Sequence, residues 1–183
     1  MANVGSWVID PMHSEVQFKV KHLVISTVTG SFQKFDGKVE VANEDFTGSK
    51  ISFSADIDSI NTNNEQRDGH LKSDDFFNAA EFPKLTFEST SFIRVDDENF
   101  TLKGNLTIRD ITKEVELSVE YGGVADDFYG NTKSGFTVEG KISRKAFGLK
   151  WDGVTEAGSV VVGDIIKLAA SVQFAKVKEE ATA

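Results

Sequence analysis

The sequence predicts an all-β fold in which eight antiparallel strands close into a barrel. Apolar and polar residues alternate along eight segments of the 183-residue chain, and a period of two marks a strand with one buried and one solvated face. Eight such strands in one chain are typical of a closed antiparallel barrel. The eight segments are residues 15–22, 30–42, 51–57, 85–93, 100–108, 115–121, 136–142 and 166–174.

The early connections between these strands carry their own signals. Residues 23–28 break the alternation, which favours a short helical turn before the second strand. Gly37, in the middle of that second strand, is typical of a β-bulge. After the third strand, Asn64 is a candidate N-cap and residues 65–67 favour a helix start. We therefore predict a short helix over residues 64–72 that caps one mouth of the barrel.

The later connections are turns and loops. Acidic residues and Asn99 at 96–99 predict a hairpin between the fourth and fifth strands. A loop at 122–133 precedes the seventh strand, and a long glycine-bearing connection at 147–163 leads to the eighth. Neither a linker nor a repeat interrupts the pattern, so we predict a single domain over residues 6–178.

The predicted inner faces carry no charge and mix large side chains with small ones. In the fourth strand, for example, the alternation assigns Ser89, Ser91 and Ile93 to the same face as Phe87. A small residue in such a row accommodates a neighbouring ring or strand coiling, but six of them on five strands favour an internal cavity. An eight-stranded barrel is wide enough to hold one small ligand. The six small residues are Ala55, Ser89, Ser91, Gly104, Gly140 and Ala170.

This interior predicts a hydrocarbon-like ligand, because burial contributes about 0.8 kcal/mol for each CH₂ group and requires no anchoring charge. The residues predicted to contact the ligand are Phe18, Val20, His22, Phe35, Phe53, Ala55, Phe87, Ser89, Leu102, Gly104, Leu106, Leu117, Val119, Phe136, Val138, Gly140, Leu168, Ala170 and Val172.

Composition and charge argue against several other kinds of partner, chemistry and location. The formal net charge of −9 argues against nucleic acid and anionic membrane surfaces as general partners. The absence of cysteine rules out disulfides and thiol chemistry. The longest uninterrupted apolar runs have three residues, whereas a membrane-spanning helix needs about 20. The start of the chain lacks a signal-peptide pattern, so we expect a cytoplasmic protein if the chain is native and a periplasmic one if a leader was removed.

Signals for catalysis and for cofactors are weak. The chain contains no phosphate-binding loop, nucleophile elbow or dinucleotide fingerprint. The spacing of His13, His22 and His70 along the sequence matches no compact set of metal ligands. We therefore predict neither catalytic residues, nor a metal site, nor a cofactor.

Several motifs resemble those of the YceI-like polyisoprenoid-binding proteins. The resemblance runs from about Ser6 to Lys176 and implies a lipocalin-like barrel that encloses a long isoprenoid or related amphiphilic lipid without catalysis. Polyprenols, isoprenoid quinones and fatty-acid derivatives are the ligand classes it implies, and a homodimer is compatible with it. The motifs lie at residues 9–14, 67–77, 81–87, 104–109, 143–149 and 162–164.

Two alternatives to a lipid carrier stay open at this point. The first is an enzyme that acts on an isoprenoid or quinone head group through His22 and His70, which requires these histidines to meet a carboxylate at the barrel mouth. The second is a structural barrel with a solid core, which requires that no cavity be present.

Overall fold

The computed structural model describes residues 2–23, 25–151 and 162–178. These residues form eleven strands, one α-helix and three short 3₁₀ turns. The strands are β1 (Gly5–Ile9), β2 (Glu15–His22), β3 (Ser26–Phe32), β4 (Phe35–Val41), β5 (Lys50–Asp56), β6 (Ile60–Asn61), β7 (Lys84–Arg94), β8 (Asn99–Ile108), β9 (Ile111–Asp126), β10 (Thr132–Ser143) and β11 (Val162–Lys176), and the helix is α1 (Glu65–Lys72).

Eight of the strands close into an antiparallel barrel. They follow the order β1-β4-β5-β7-β8-β9-β10-β11, and β1 pairs back onto β11, which completes the ring. The predicted all-β, eight-stranded, lipocalin-like barrel with one short helix is therefore confirmed. No helix within the described residues is long and apolar enough to cross a bilayer.

The strands at the start of the chain bend rather than run straight. Both β1 and β2 pair with the same edge of β11, separated by the 3₁₀ turn Pro11–His13. The predicted second strand, residues 30–42, is in fact two strands, because β3 and β4 are separated at Gln33 and Lys34. The predicted helical turn at 23–28 is wrong as well: β3 begins at Ser26, and its β-branched residues pair with β2.

A β-bulge in β7 changes which side chains face inward. The register with β8 shifts between Ser89 and Ser91, and one extra residue reverses the alternation beyond that point. Phe92 is consequently 4% exposed and stacks on Phe100 with 4.5 Å between ring centroids, whereas Ile93 is 56% exposed. The prediction that Ser91 and Ile93 belong to the inner row is wrong.

Helix α1 forms where it was predicted. The side chain of Asn64 accepts a hydrogen bond from the Arg67 amide at 3.0 Å, as an N-cap does. Asp68 accepts bonds from both the amide and the hydroxyl of Thr62, at 2.9 and 2.5 Å. These bonds hold the helix against the end of β6, and the half-buried Leu71 packs it against the hydrophobic core.

The two ends of the barrel differ. We call the end near α1, which also carries residues 145–151 and the β8–β9 hairpin, the helix end. We call the opposite end, where Trp7, Phe46, Tyr121 and Phe136 pack together, the plug end.

Candidate functional site

The barrel encloses an apolar cavity of about 200 Å³. Its lining comes from β1 to β5, β7 to β11 and the loop between β4 and β5, and it contains no charged side chain and no histidine among the described residues. The polar residues in the lining are Gln17, Ser49 and Ser52. The hydroxyl of Ser49 donates to the Phe46 carbonyl at 2.5 Å, so it is already satisfied. The barrel core is therefore hollow and offers a guest almost no polar contact.

Twelve of the nineteen residues predicted to contact a ligand line this cavity. They come from seven strands, and their side chains are large or medium-sized hydrophobic groups apart from one alanine. Their contact with a ligand stays a prediction. The twelve are Phe18, Phe53, Phe87, Leu102, Leu106, Leu117, Val119, Phe136, Val138, Leu168, Ala170 and Val172.

Two of the small residues predicted to line the cavity, both glycines, instead make room for neighbouring side chains. A Cβ atom at Gly104 would lie 2.3 Å from Cζ of Phe87 and 2.6 Å from the carbonyl oxygen of Glu88. A Cβ atom at Gly140 would lie 2.2 Å from Cδ2 of Leu117. Both glycines are thus covered by large side chains that themselves line the cavity, and the prediction that Gly104 and Gly140 line it is wrong.

The other five predicted residues also lie outside the cavity lining. Ala55 is fully buried in a second hydrophobic cluster beneath the helix end, and Phe35 packs on Phe53 with 6.2 Å between ring centroids. The hydroxyl of Ser89 accepts a hydrogen bond from the Ile51 amide at 2.8 Å, beside the β7 bulge. Val20 and His22 are half-buried near the end of β2, beyond the cavity.

The sequence pattern also missed some of the lining. Phe46 lies in the loop between β4 and β5 with a φ of +68°, where no alternation exists to reveal an inward side chain. Its ring packs 5.7 Å from Trp7, 5.4 Å from Tyr121 and 5.6 Å from Phe136. Burial raises the pKa of the Tyr121 phenol, with a smaller effect from the charge of Glu44. The plug end is therefore closed by aromatic packing.

The helix end is closed by a mixed cluster. The His70 ring stands edge-on to Phe76 and Trp151, with centroid distances of 5.0 and 4.9 Å. Its Nε2 lies 2.8 Å from Oδ2 of Asp75. Arg109, in the β8–β9 hairpin, donates to the carbonyls of Asp74 and Phe76 at 3.1 Å each. These bonds fasten the segment after α1 across the barrel.

A buried arginine anchors the chain that follows β10. Arg144 is 1% exposed, and its guanidinium donates to the carbonyls of Leu149, Trp151, Val162 and Gly163 at 2.7 to 3.0 Å. One planar donor fork therefore joins residues 149–151 to the start of β11. The predicted connection 147–163 lies partly outside the described residues.

The arrangement that the enzyme alternative requires is only half present. His70 meets a carboxylate, but no hydrogen bond or ring contact joins it to His22 within the described part of the chain. His13 pairs instead with Asp10. No group of three or more histidine, aspartate or glutamate residues in the described ranges is arranged to hold a metal ion.

Residues 7–174 match the YceI-like domain. The chain belongs to the YceI-like family. A UPF0312 protein of Staphylococcus aureus strain N315 is 41% identical over 170 residues, which cover 92% of this chain and 96% of that protein. The family resemblance that the motifs indicated is confirmed.

Solved structures of YceI-like proteins have the same fold. The Campylobacter jejuni YceI protein superimposes with a TM-score of 0.74 at 33% identity, covering 87% of this chain and 91% of that chain. A polyisoprenoid-binding domain from Saccharophagus degradans gives a TM-score of 0.69 at 14% identity, covering 96% of this chain and all of that one. At 14% identity, the second likeness shows the fold alone.

Proposed function

We propose that this YceI-like protein binds a long-chain isoprenoid or similar amphiphilic lipid in its barrel and carries or sequesters it. The observation that carries the proposal is the cavity of about 200 Å³ without a charged lining residue. An apolar protein cavity of about 150 Å³ stays dry and binds benzene. A hydrocarbon guest therefore suits this interior better than water or a polar metabolite.

Burial of a hydrocarbon chain is favourable without an anchoring charge. Each buried CH₂ contributes about 0.8 kcal/mol, so one five-carbon unit contributes about 4 kcal/mol before the entropy of ordering the chain is subtracted. The cavity holds about one or two such units, judged against the benzene-binding cavity. A longer chain fits by turning lining side chains such as Leu102 and Leu117 to other rotamers.

The family adds support for a lipid of this class. The S. degradans domain with the same fold is described as polyisoprenoid-binding. The polar head group lies at a barrel end, because the cavity offers it no partner, and the role is binding rather than catalysis. The homodimer and the compartment stay predictions.

Native mass spectrometry and organic extraction of the purified protein test the proposal. We expect the wild-type protein to carry one non-covalently bound lipid or to take up an added isoprenoid alcohol. Ala170→Phe fills the cavity from β11, and we expect it to lower lipid occupancy at least about tenfold, because several buried CH₂ contacts are lost. Ser171→Phe is the matched control, since Ser171 is the next residue and is exposed. A wild-type protein that neither carries nor takes up lipid, or equal occupancy in both variants, contradicts the proposal.

A further inference from the structure

Three lysines form a row across the outer face of the barrel. Lys167 on β11 is the direct cross-strand partner of Lys19 on β2 and of Lys141 on β10. Lys21 follows Lys19 on the same face of β2. We call these four residues the lysine patch. All four are exposed, and direct cross-strand partners have Cβ atoms only about 5 Å apart.

This arrangement of like charges does not help the sheet to fold. Like charges directly opposite each other destabilise a sheet, and the chain as a whole has a formal net charge of −9, so carboxylates are abundant. Yet no lysine of the patch forms an ion pair with any carboxylate in the described residues. Lysines gathered on one face without ion pairs in the described residues favour an anionic partner.

Carboxylates on the neighbouring strands form no ion pair with the patch. Asp164 lies beside it, but both oxygens of its carboxylate accept bonds from the Ser143 hydroxyl at 2.8 Å, and one also accepts from the Lys145 amide at 3.1 Å. Glu139 is one cross-strand row further from the helix end, opposite Ala169.

Exposed apolar side chains lie next to the lysines. Ile165 precedes Lys167 by two residues on the same face of β11 and is 50% exposed. Ile25, at the tip of the β2–β3 hairpin, is 85% exposed. Both isoleucines are on the helix-end side of the lysine row. Lysines beside exposed apolar groups are the combination that binds the interface of an anionic bilayer.

We propose that the lysine patch, with Ile25 and Ile165, docks the outer face formed by β2, β10 and β11 on an anionic lipid bilayer. The net negative charge of the whole chain argues against binding to anionic membranes in general. It does not prevent docking through the lysine patch, because charges farther from the membrane than a Debye length of about 8 Å are largely screened. A soluble polyanion would match the lysines but not the isoleucines. Docking itself does not depend on the proposed function; its purpose, the exchange of the barrel's lipid with the membrane, rests on it.

Vesicle flotation tests the docking. We expect the wild-type protein to bind vesicles of equal parts phosphatidylcholine and phosphatidylglycerol, and not vesicles of phosphatidylcholine alone. Each lysine near an anionic surface is worth about fivefold in partitioning, so the triple variant Lys19→Gln, Lys141→Gln, Lys167→Gln should bind on the order of a hundredfold more weakly. Added salt should weaken wild-type binding.

The matched control removes three lysines from the far side of the barrel. Lys50, Lys84 and Lys103 lie on β5, β7 and β8 and are also exposed, and the triple glutamine variant at these positions should bind within about twofold of the wild type. Equal losses in the two triple variants, or no wild-type binding to the anionic vesicles, overturn the proposal. Binding to heparin without binding to anionic vesicles overturns it in favour of a soluble polyanion.

A further variant separates this proposal from the proposed function. Ala170→Phe alters the cavity and leaves the outer face unchanged, so it should lose its lipid and keep vesicle binding. A wild-type protein that holds lipid but ignores anionic vesicles refutes docking alone. Vesicle binding without any lipid uptake refutes the proposed function alone.

Discussion

The replacement of Gly104 by alanine tests whether the glycines of the inner rows are needed to make room for other side chains. The added Cβ would lie 2.3 Å from Cζ and 2.7 Å from Cε2 of Phe87, and 2.6 Å from the backbone oxygen of Glu88. The ring and the backbone must both move, since real Cβ contacts of this length do not occur. Such overpacking costs about 1–3 kcal/mol.

The opposing effect is smaller. Alanine in place of glycine restricts the unfolded chain, which stabilises a protein by about 0.4–1 kcal/mol when the native backbone tolerates it. We therefore expect Gly104→Ala to lower the free energy of unfolding by about 1–2 kcal/mol. The displaced Phe87 ring enters the cavity that it lines, so lipid occupancy should fall as well.

Gly140→Ala is the matched control. Its Cβ would meet Cδ2 of Leu117 at 2.2 Å, but the next nearest atoms are 3.6 Å away. Because the end of a leucine side chain can rotate toward the cavity, the free energy of unfolding should stay within about 1 kcal/mol of the wild type. Urea unfolding followed by tryptophan fluorescence measures both variants. If Gly104→Ala is as stable as Gly140→Ala, the interpretation that Gly104 makes room for the Phe87 ring is wrong.

Two further predictions concern polar groups outside the cavity. The Lys133 ammonium, helped by His13 and the Met12 amide, lowers the pKa of Asp10 from 3.8 to about 2. The paired carboxylate thus adds about 2 kcal/mol to the free energy of unfolding above pH 3.8, and this contribution is lost as the pH falls through about 2. In urea unfolding, Asp10→Asn should therefore be less stable than the wild type by about this amount at pH 7 and equally stable in acid. A stability loss that does not depend on pH contradicts this prediction. Arg144→Lys leaves several of its four carbonyl acceptors without a donor, so it should lower the free energy of unfolding by about 3 kcal/mol; a loss below about 1 kcal/mol would contradict the anchoring role.

The alternation of residues was enough to predict the barrel and most of its inner rows, because burial on one face forces a period of two. It places Leu102, Leu106 and Leu117 correctly in the cavity lining. It fails at Ser91 and Ile93, since a bulge adds one residue without a sequence signal strong enough to locate it.

Other features depend on contacts between distant parts of the chain. Gly104 reads as a gap until the Phe87 ring is seen above it, and Phe46 reaches the core from a loop. The pairing of Lys19 with Lys167 requires the register between β2 and β11. Register between strands far apart in sequence is set by tertiary packing, which one sequence does not reveal.

Methyl NMR of the protein with a bound isoprenoid alcohol tests the central claim, that a lipid chain occupies the barrel interior, most directly. We predict intermolecular nuclear Overhauser effects between the chain and the methyl groups of Leu102, Leu106, Leu117 and Leu168, all of which line the cavity. Exposed methyl groups such as those of Ile93 and Val95 serve as the outer reference. Contacts from the lipid to the outer reference without contacts to the four leucines would contradict the claim.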